Sequence, residues 1–321
     1  MTMVCRICSN QAENKSYKVR EMMYGTREIF TYFECAECGC LQIADIPEDM
    51  DAHYPSSYYS FQPYDGGKFK GTKGGLKKRF YSSRILGKNF VHGLMGTLAG
   101  SDIYDCLKDV ELSRDTRILD VGCGNGRNFL YPLAEIGFTN LLGIDPFIPN
   151  DIDYDNGLKV AAQSIDDVSG TWDVITYHHA FEHLPDPQHH LEILHGLLSE
   201  KGVLIIRIPT ASSFAWEHFR ENWVQLDAPR HFFLHTRESM SRIATEAGLD
   251  LFNVEYDSTD FQFTGSINYQ NDIPLNTPKE KGLLKKLKRK LASFQYGEKA
   301  RRLNQQGKGD QAIFYLRPIK T

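Results

Sequence analysis

ILDVGCGNG, residues 118–126, decides the fold. RILDVG (117–122) reads as a short buried strand that runs directly into Gly122, Gly124 and Gly126. Glycines there let the backbone turn sharply and approach a ligand closely. A helix is expected to follow over 125–136, its N-terminus offering unpaired N–H groups to an anionic group. Outward from this turn, strands alternate with helical patterns. LLGID (141–145), 158–161, WDVITYH (172–178), GVLIIRIP (202–209), 249–256 and QAIFYLRP (311–318) read as strands. Helices are expected over 187–198 and 237–247, with helical turns upstream around 76–86 and 103–110. Continuous apolar strands alternating with helices predict an α/β protein with a mostly parallel, doubly wound sheet covered on both faces.

Two cofactors suit the glycine turn: a dinucleotide or S-adenosylmethionine. The dinucleotide fingerprint is G-x-G-x-x-G/A. Here the spacing is G-x-G-x-G, and Arg127 stands where the third small residue belongs. Asp120 would repel a pyrophosphate but suits an ammonium group. Asp145, at the end of the second strand, suits the two hydroxyls of a ribose. LDVGCGNG resembles motif I of the class I S-adenosylmethionine-dependent methyltransferases. The resemblance continues through GIDP, WDVITYHHAFEHLPDP (172–187), KGVLIIRIP (201–209) and LDAPRHFFLHTRESMSRIATEAGL (226–249), and so covers about 110–320. It implies a Rossmann-like sheet of seven strands, the last antiparallel. It also implies site roles. Asp120, Gly122, Gly124 and Gly126 would hold the methionine end, and Asp145 with Pro146 the ribose. Ser164 and Ile165 would flank the adenine, and Tyr177 and His178 would close the pocket near the sulfonium.

Seven cysteines include two C-x-x-C pairs, Cys5/Cys8 and Cys35/Cys38. In a reducing compartment such pairs read as metal ligands rather than disulfides. Two knuckles make a closed four-thiolate site for a structural Zn²⁺, because no position is left open for water. Cys40 offers a fifth thiol, though knuckle geometry favours Cys38. Cys106 and Cys123 read as packing residues. Strands are expected over 28–34 and 41–44. The run CRICSN…YFECAECGCLQI…HYPSSYYSF resembles the N-terminal zinc-binding domain of bacterial sugar methyltransferases and relatives tied to polysaccharide biosynthesis, in which the module helps form the substrate site.

Methyl transfer to a hydroxyl or carbon acid needs alignment and a base. HHAFEH (178–183) and PRH (229–231) supply candidates at the carboxyl ends of strands. His231 and His183 are the first choices for base or acceptor-orienting groups, Glu182 and His179 the second. His189, His190 and His195 fall on a helix face and are expected to be solvated. Tyr58, Tyr59 and Phe61 suit a lid, a sugar-stacking surface or packing between domains, and the resemblance implies that the segment holding Trp216 and Trp223, after the fifth strand, shapes the acceptor pocket. The resemblance implies a sugar acceptor, nucleotide-linked or in a polysaccharide or lipid-linked precursor, methylated at oxygen or carbon. The alternatives are a small aromatic or lipid-quinone acceptor and a non-catalytic cofactor-binding regulator. The intact Asp120, glycine turn and Asp145 argue against the last.

The chain divides into a zinc-binding module with an aromatic loop (1–66), a basic linker with helices (67–112) and a methyltransferase domain (113–321) with a basic helical insertion (279–308). Overall charge is −4, which gives no argument for a nucleic-acid partner. Yet residues 66–92 carry eight Lys/Arg and no acid, and 279–308 carry eleven against two. Apolar residues recur at helical spacing over 283–294, which raises peripheral contact with an anionic membrane through that segment. No apolar run is long enough to span a bilayer, and MTMVCRICSN has no apolar signal core. The expected location is cytoplasmic, with the inner face of the membrane as a possible site of contact.

Overall fold

The computed structural model describes residues 3–54, 64–87, 103–278 and 282–320. Tyr58, Tyr59 and Phe61 lie outside the described residues, as does 88–102 of the basic linker. The first strands are β1 (Lys15–Arg20), β2 (Ile29–Glu34) and β3 (Leu41–Ile43). Next in chain order come β4 (Ile118–Val121), β5 (Leu141–Ile144), β6 (Ile152–Asp153), β7 (Lys159–Ala161) and β8 (Trp172–His178). The last are β9 (Leu198–Pro209), β10 (Phe233–Leu234), β11 (Leu249–Tyr256) and β12 (Gln311–Pro318). The helices are α1 (Gly71–Leu86), α2 (Leu130–Glu135), α3 (Pro187–Leu197), α4 (Phe214–Phe219), α5 (Arg237–Glu246), α6 (Phe261–Gln270) and α7 (Leu283–Gln305).

The large sheet has the order β11-β12-β9-β8-β4-β5-β7-β6. The five strands β9, β8, β4, β5 and β7 are parallel. β12 lies between β9 and β11, antiparallel to both. This is the expected seven-stranded Rossmann-like sheet with its last strand antiparallel. The two-residue β6 adds an eighth strand at the edge. Period-two alternation sorts the strands' side chains onto two faces. Leu119, Ile175, Tyr177, Leu204 and Ile206 belong to one core, and Ile118, Val174, Ile205 and Ile313 to the other. Residues of α3 and α5 pack into the first and those of α1 and α2 into the second.

Helix starts follow from their caps. Asp186 accepts the N–H of His189 ahead of Pro187 at the first turn of α3. Thr236 and Ser239 bond reciprocally at the start of α5. The helix expected over 125–136 is shorter than its apolar pattern. Gly126 has φ +70°, a left-handed conformation that no helix continues through, so α2 begins at Leu130.

The N-terminal residues do not fold apart from the rest. β1, β2 and β3 form an antiparallel sheet whose fourth strand is β10, from the far end of the chain. Side chains of both parts merge in one core. Arg230 fastens the junction. Its guanidinium is fully buried and bonds Asp227 through two nitrogens at 2.6 and 2.9 Å, and Glu21 at 3.0 Å. Glu21 also accepts the backbone N–H groups of Tyr24, Gly25 and Thr26. Removing one partner of a buried ion pair strands the other charges out of water. Arg230→Ala is therefore expected to cost about 3–5 kcal/mol of stability, read from urea unfolding. A loss below about 1 kcal/mol, the range of an exposed pair, would show that this network does not fasten the junction.

Candidate active site

The glycine turn after β4 is built for close approach. Gly122, Gly124 and Gly126 have φ of +70°, +56° and +70°, where a side chain is strained. A Cβ at Gly122 would also stand 2.4 Å from the Cβ of Ala180. One strand over, Asp145 accepts the N–H of Gly124 at 2.8 Å and that of Phe147 at 2.9 Å. Its carboxylate thus braces the turn from the end of β5, with Pro146 next in the chain. Burial raises its pKa. Asp120 is buried too and accepts the hydroxyl of Thr176 at 2.8 Å. Burial lifts its pKa to about 7, with Asp145 adding to the rise and Thr176 opposing it. An ammonium group brought against it would restore the charge.

Tyr177 and His178 do not act together, because neighbours on a strand face opposite ways. Tyr177 is buried on the α3 side, where its hydroxyl meets His190 Nδ1 at 3.1 Å. His190 is accordingly half-buried rather than solvated, whereas His189 is exposed and pairs with Asp166. His178 faces the other way, 4.5 Å from the ring of Phe129 just before α2. Both its ring nitrogens are buried without a hydrogen-bond partner. Burial, then Arg207 and His179, hold its pKa well below the usual value. A neutral imidazole there does not repel a cationic sulfonium. Ser164 caps the short turn Ile165–Asp167, and Ile165 is buried in the α3-side core.

The four acceptor-site candidates do converge. Glu182 is fully buried, with His179 Nδ1 at 3.5 Å and His231 Nε2 at 3.9 Å from Oε1. Glu182, His183 and His231 each offer a donor atom within 4.8 Å of the other two. Burial alone would raise the Glu182 pKa, but His179, His183 and His231 outweigh it and hold it at about 2. Backbone carbonyls fix the tautomers of two histidines. His231 Nδ1–H donates to Gln225 O at 2.7 Å and His183 Nδ1–H to Arg230 O at 2.8 Å. His231 Nε2, with the imidazole neutral, is left with its lone pair. Arg207 Nη1 lies 3.0 Å from His179 Nε2, so that nitrogen accepts and Nδ1 carries its proton toward Glu182. Burial, then His183, lowers the His231 pKa to about 4.

Several contributors escaped the sequence reading. Tyr54 reaches His183 Nδ1 at 3.2 Å, and Tyr32 donates to His231 O at 2.8 Å. Arg207 is itself paired with Asp257 at 2.6 Å. Their partners lie far off in the chain, so no local pattern marks them. Trp216 and Trp223 are core residues. Both are buried, donating to Glu34 and Asp310 respectively.

Cys5, Cys8, Cys35 and Cys38 bring four sulfurs within 4.8 Å of one another. The pairs Cys5/Cys38 and Cys8/Cys35 are 3.7 and 3.4 Å apart. A tetrahedral site with Zn–S of about 2.3 Å needs sulfurs about 3.8 Å apart. The Ile7 N–H and the Gln42 amide point at Cys5 Sγ, as donors around a thiolate would. Cys40 is buried outside this cluster.

A family model described as a methyltransferase domain matches residues 94–254. No curated protein matches the chain. Among solved structures, an S-adenosylmethionine-dependent methyltransferase from Mesorhizobium loti is 16% identical, covering 68% of this chain and 98% of its own, with TM-score 0.43. A possible histamine N-methyltransferase from Thermotoga maritima is 17% identical, covering 75% and 99%, with TM-score 0.42. The 1,6-didemethyltoxoflavin N1-methyltransferase of Burkholderia thailandensis, bound to that acceptor and S-adenosylhomocysteine, is 13% identical, covering 89% and 97%, with TM-score 0.42. Likenesses this distant say nothing of the acceptor here.

Hydrogen bonds to a charged group contribute about 1.5–3 kcal/mol. Asp145→Ala is expected to weaken S-adenosylmethionine binding about 10- to 100-fold, measured by calorimetry. An affinity within twofold of the parent would remove Asp145 from the cofactor site.

Proposed function

The chain belongs to the methyltransferase-domain family and is an S-adenosylmethionine-dependent methyltransferase; from that premise we propose that its acceptor is a sugar, nucleotide-linked or part of a polysaccharide or lipid-linked precursor. The buried polar cluster of Glu182, His183, His231 and Asp227 carries this reading. Such a wall suits a hydroxyl-rich acceptor, whereas a quinone or small aromatic ring calls for a mainly apolar one. The resemblance of the cysteine-rich N-terminus to sugar-methyltransferase modules points the same way.

When bound, S-adenosylmethionine supplies an activated methyl carbon. Asp120 and the glycine turn would hold its amino-acid end and Asp145 its ribose. His231 Nε2 is the base in this scheme. It is neutral at physiological pH and has its lone pair free. With the cofactor bound, His231 Nε2 would take the proton of the acceptor hydroxyl whose oxygen receives the methyl group. The resulting imidazolium lies 3.9 Å from each of two carboxylates, Glu182 and Asp227, which stabilise it. Glu182 holds too little proton affinity to be the base itself, and His179 positions it.

His231→Ala is expected to lower kcat about 10²- to 10⁴-fold while leaving cofactor affinity nearly unchanged. In the parent enzyme, kcat should stay level through neutral pH and fall only as pH drops toward about 4, where His231 takes up a proton. A descent centred near 6.5 would point to another base. Transfer of labelled methyl to a panel of nucleotide sugars and glycan precursors tests the acceptor class. Label entering only quinones or small aromatics would overturn it.

We infer that the four thiolates hold one structural Zn²⁺, with no open position for chemistry. Elemental analysis is expected to find about one zinc per chain, and Cys35→Ser to lose the metal and lower the melting temperature. Full melting temperature in a zinc-free protein would refute a structural ion.

A further inference from the structure

Helix α7 changes its apolar face midway. The C-terminal half is packed: Ala300 and Leu303 are buried, and Tyr296 stacks on Phe263 with centroids 5.1 Å apart. Lys299 lies over the rings of Phe214 and Phe263, and Asn304 donates to Ser258 O at 3.0 Å. The N-terminal half is not packed. Leu283 is 84% exposed, Leu284 77%, Leu287 54%, Leu291 56% and Phe294 71%. At about 100° of rotation per residue, these five fall within an arc of about 100°, on roughly the opposite side of the helix from Tyr296, Ala300 and Leu303. The stripe therefore points away from the domain that the helix is rooted on.

Charge frames the stripe. The same rotation sets Lys288 along one border and Lys286 and Lys290 along the other, and all three are exposed. From Gly282 to Gly297 there is no Asp or Glu. An apolar strip bordered by lysines matches an anionic lipid surface, with the leucines and Phe294 among acyl chains and the lysine ends at the phosphates. Two copies of this helix face to face would instead bring lysine rows together. No helix among the described residues is long and apolar enough to cross a membrane, so the contact would be peripheral. Its roots, α4 and the chain after β11, lie at the carboxyl end of the sheet, the end that carries the glycine turn.

We propose that the N-terminal half of α7 is a docking surface for an anionic membrane. This stands independently of the acceptor's identity. The test is flotation of the full chain with phosphatidylcholine vesicles, with and without phosphatidylglycerol, at low and high salt. The parent should bind only phosphatidylglycerol-containing vesicles and release as salt rises. The triple variant Leu287→Ser/Leu291→Ser/Phe294→Ser changes only exposed side chains. It should keep its melting temperature and cofactor affinity and lose vesicle binding by at least about tenfold. No binding to anionic vesicles at low salt would overturn the proposal. So would equal binding by the variant, or a parent dimer that the variant dissociates and that ignores vesicles.

Discussion

A guanidinium with no exposure to water dictates much of this structure. Arg230 can be buried only because Asp227 and Glu21 neutralise it at hydrogen-bond distance. One partner is three residues away, the other more than two hundred. The chain can meet both demands in one arrangement, with the cysteine module seated against the 227–231 loop. Other contacts then follow along the same seam. Tyr32 bonds the carbonyl of His231, Ile43 N–H donates to Phe232 O, β3 pairs with β10, and Thr236 donates to Cys38 O. Asp227, needed to neutralise Arg230, is also one of the two carboxylates facing His231.

The site's electrostatics grow from this seam. Burial works in opposite directions on acids and histidines, favouring the uncharged form of each. Here the acids resist because of the groups that face them. Arg230 opposes burial at Asp227, and three histidines oppose it at Glu182. His231 does not resist, because its near neighbour His183 adds to the effect of burial. The outcome is two fixed negative charges and a neutral imidazole between them. Proton uptake at His231 then creates an ion where its counter-charges already stand, with little reorganisation.

The parts legible in the sequence were those whose signal is local. Buried parallel strands are continuous apolar runs, so β4, β5, β8 and β9 could be read directly. The glycine turn and Asp145 lie within one β–α–β unit, short enough to be read as one pattern. β1 was missed because only Tyr17 and Val19 turn inward among exposed lysines and a serine. The two-residue β10 carries no periodicity at all, since its partner β3 is almost two hundred residues earlier. The helical insertion expected over 279–308 holds α7, but only its apolar stripe to Phe294 was read, because a different face takes over beyond it. Tyr177 and His178 were assigned one role, although the strand that holds them sends their side chains to opposite faces. Arg230 was visible only as part of a loop, because nothing nearby announces Glu21.

The thiolate cluster lies against the same small sheet that receives β10. The second knuckle, Cys35 and Cys38, sits between β2 and β3, and the first lies just before β1. A clamp on these four residues fixes both ends of the small sheet, whose few apolar side chains give it little core of its own. In that sheet β3 lies between β2 and β10. Two residues before β10 stands His231. The knuckles therefore connect through β3 and β10 to the loop that holds the proposed base. The glycine turn and Asp145 consequently rest on strands β4 and β5, and His231 stands beside a sheet assembled from the two distant parts of the chain that Arg230 joins.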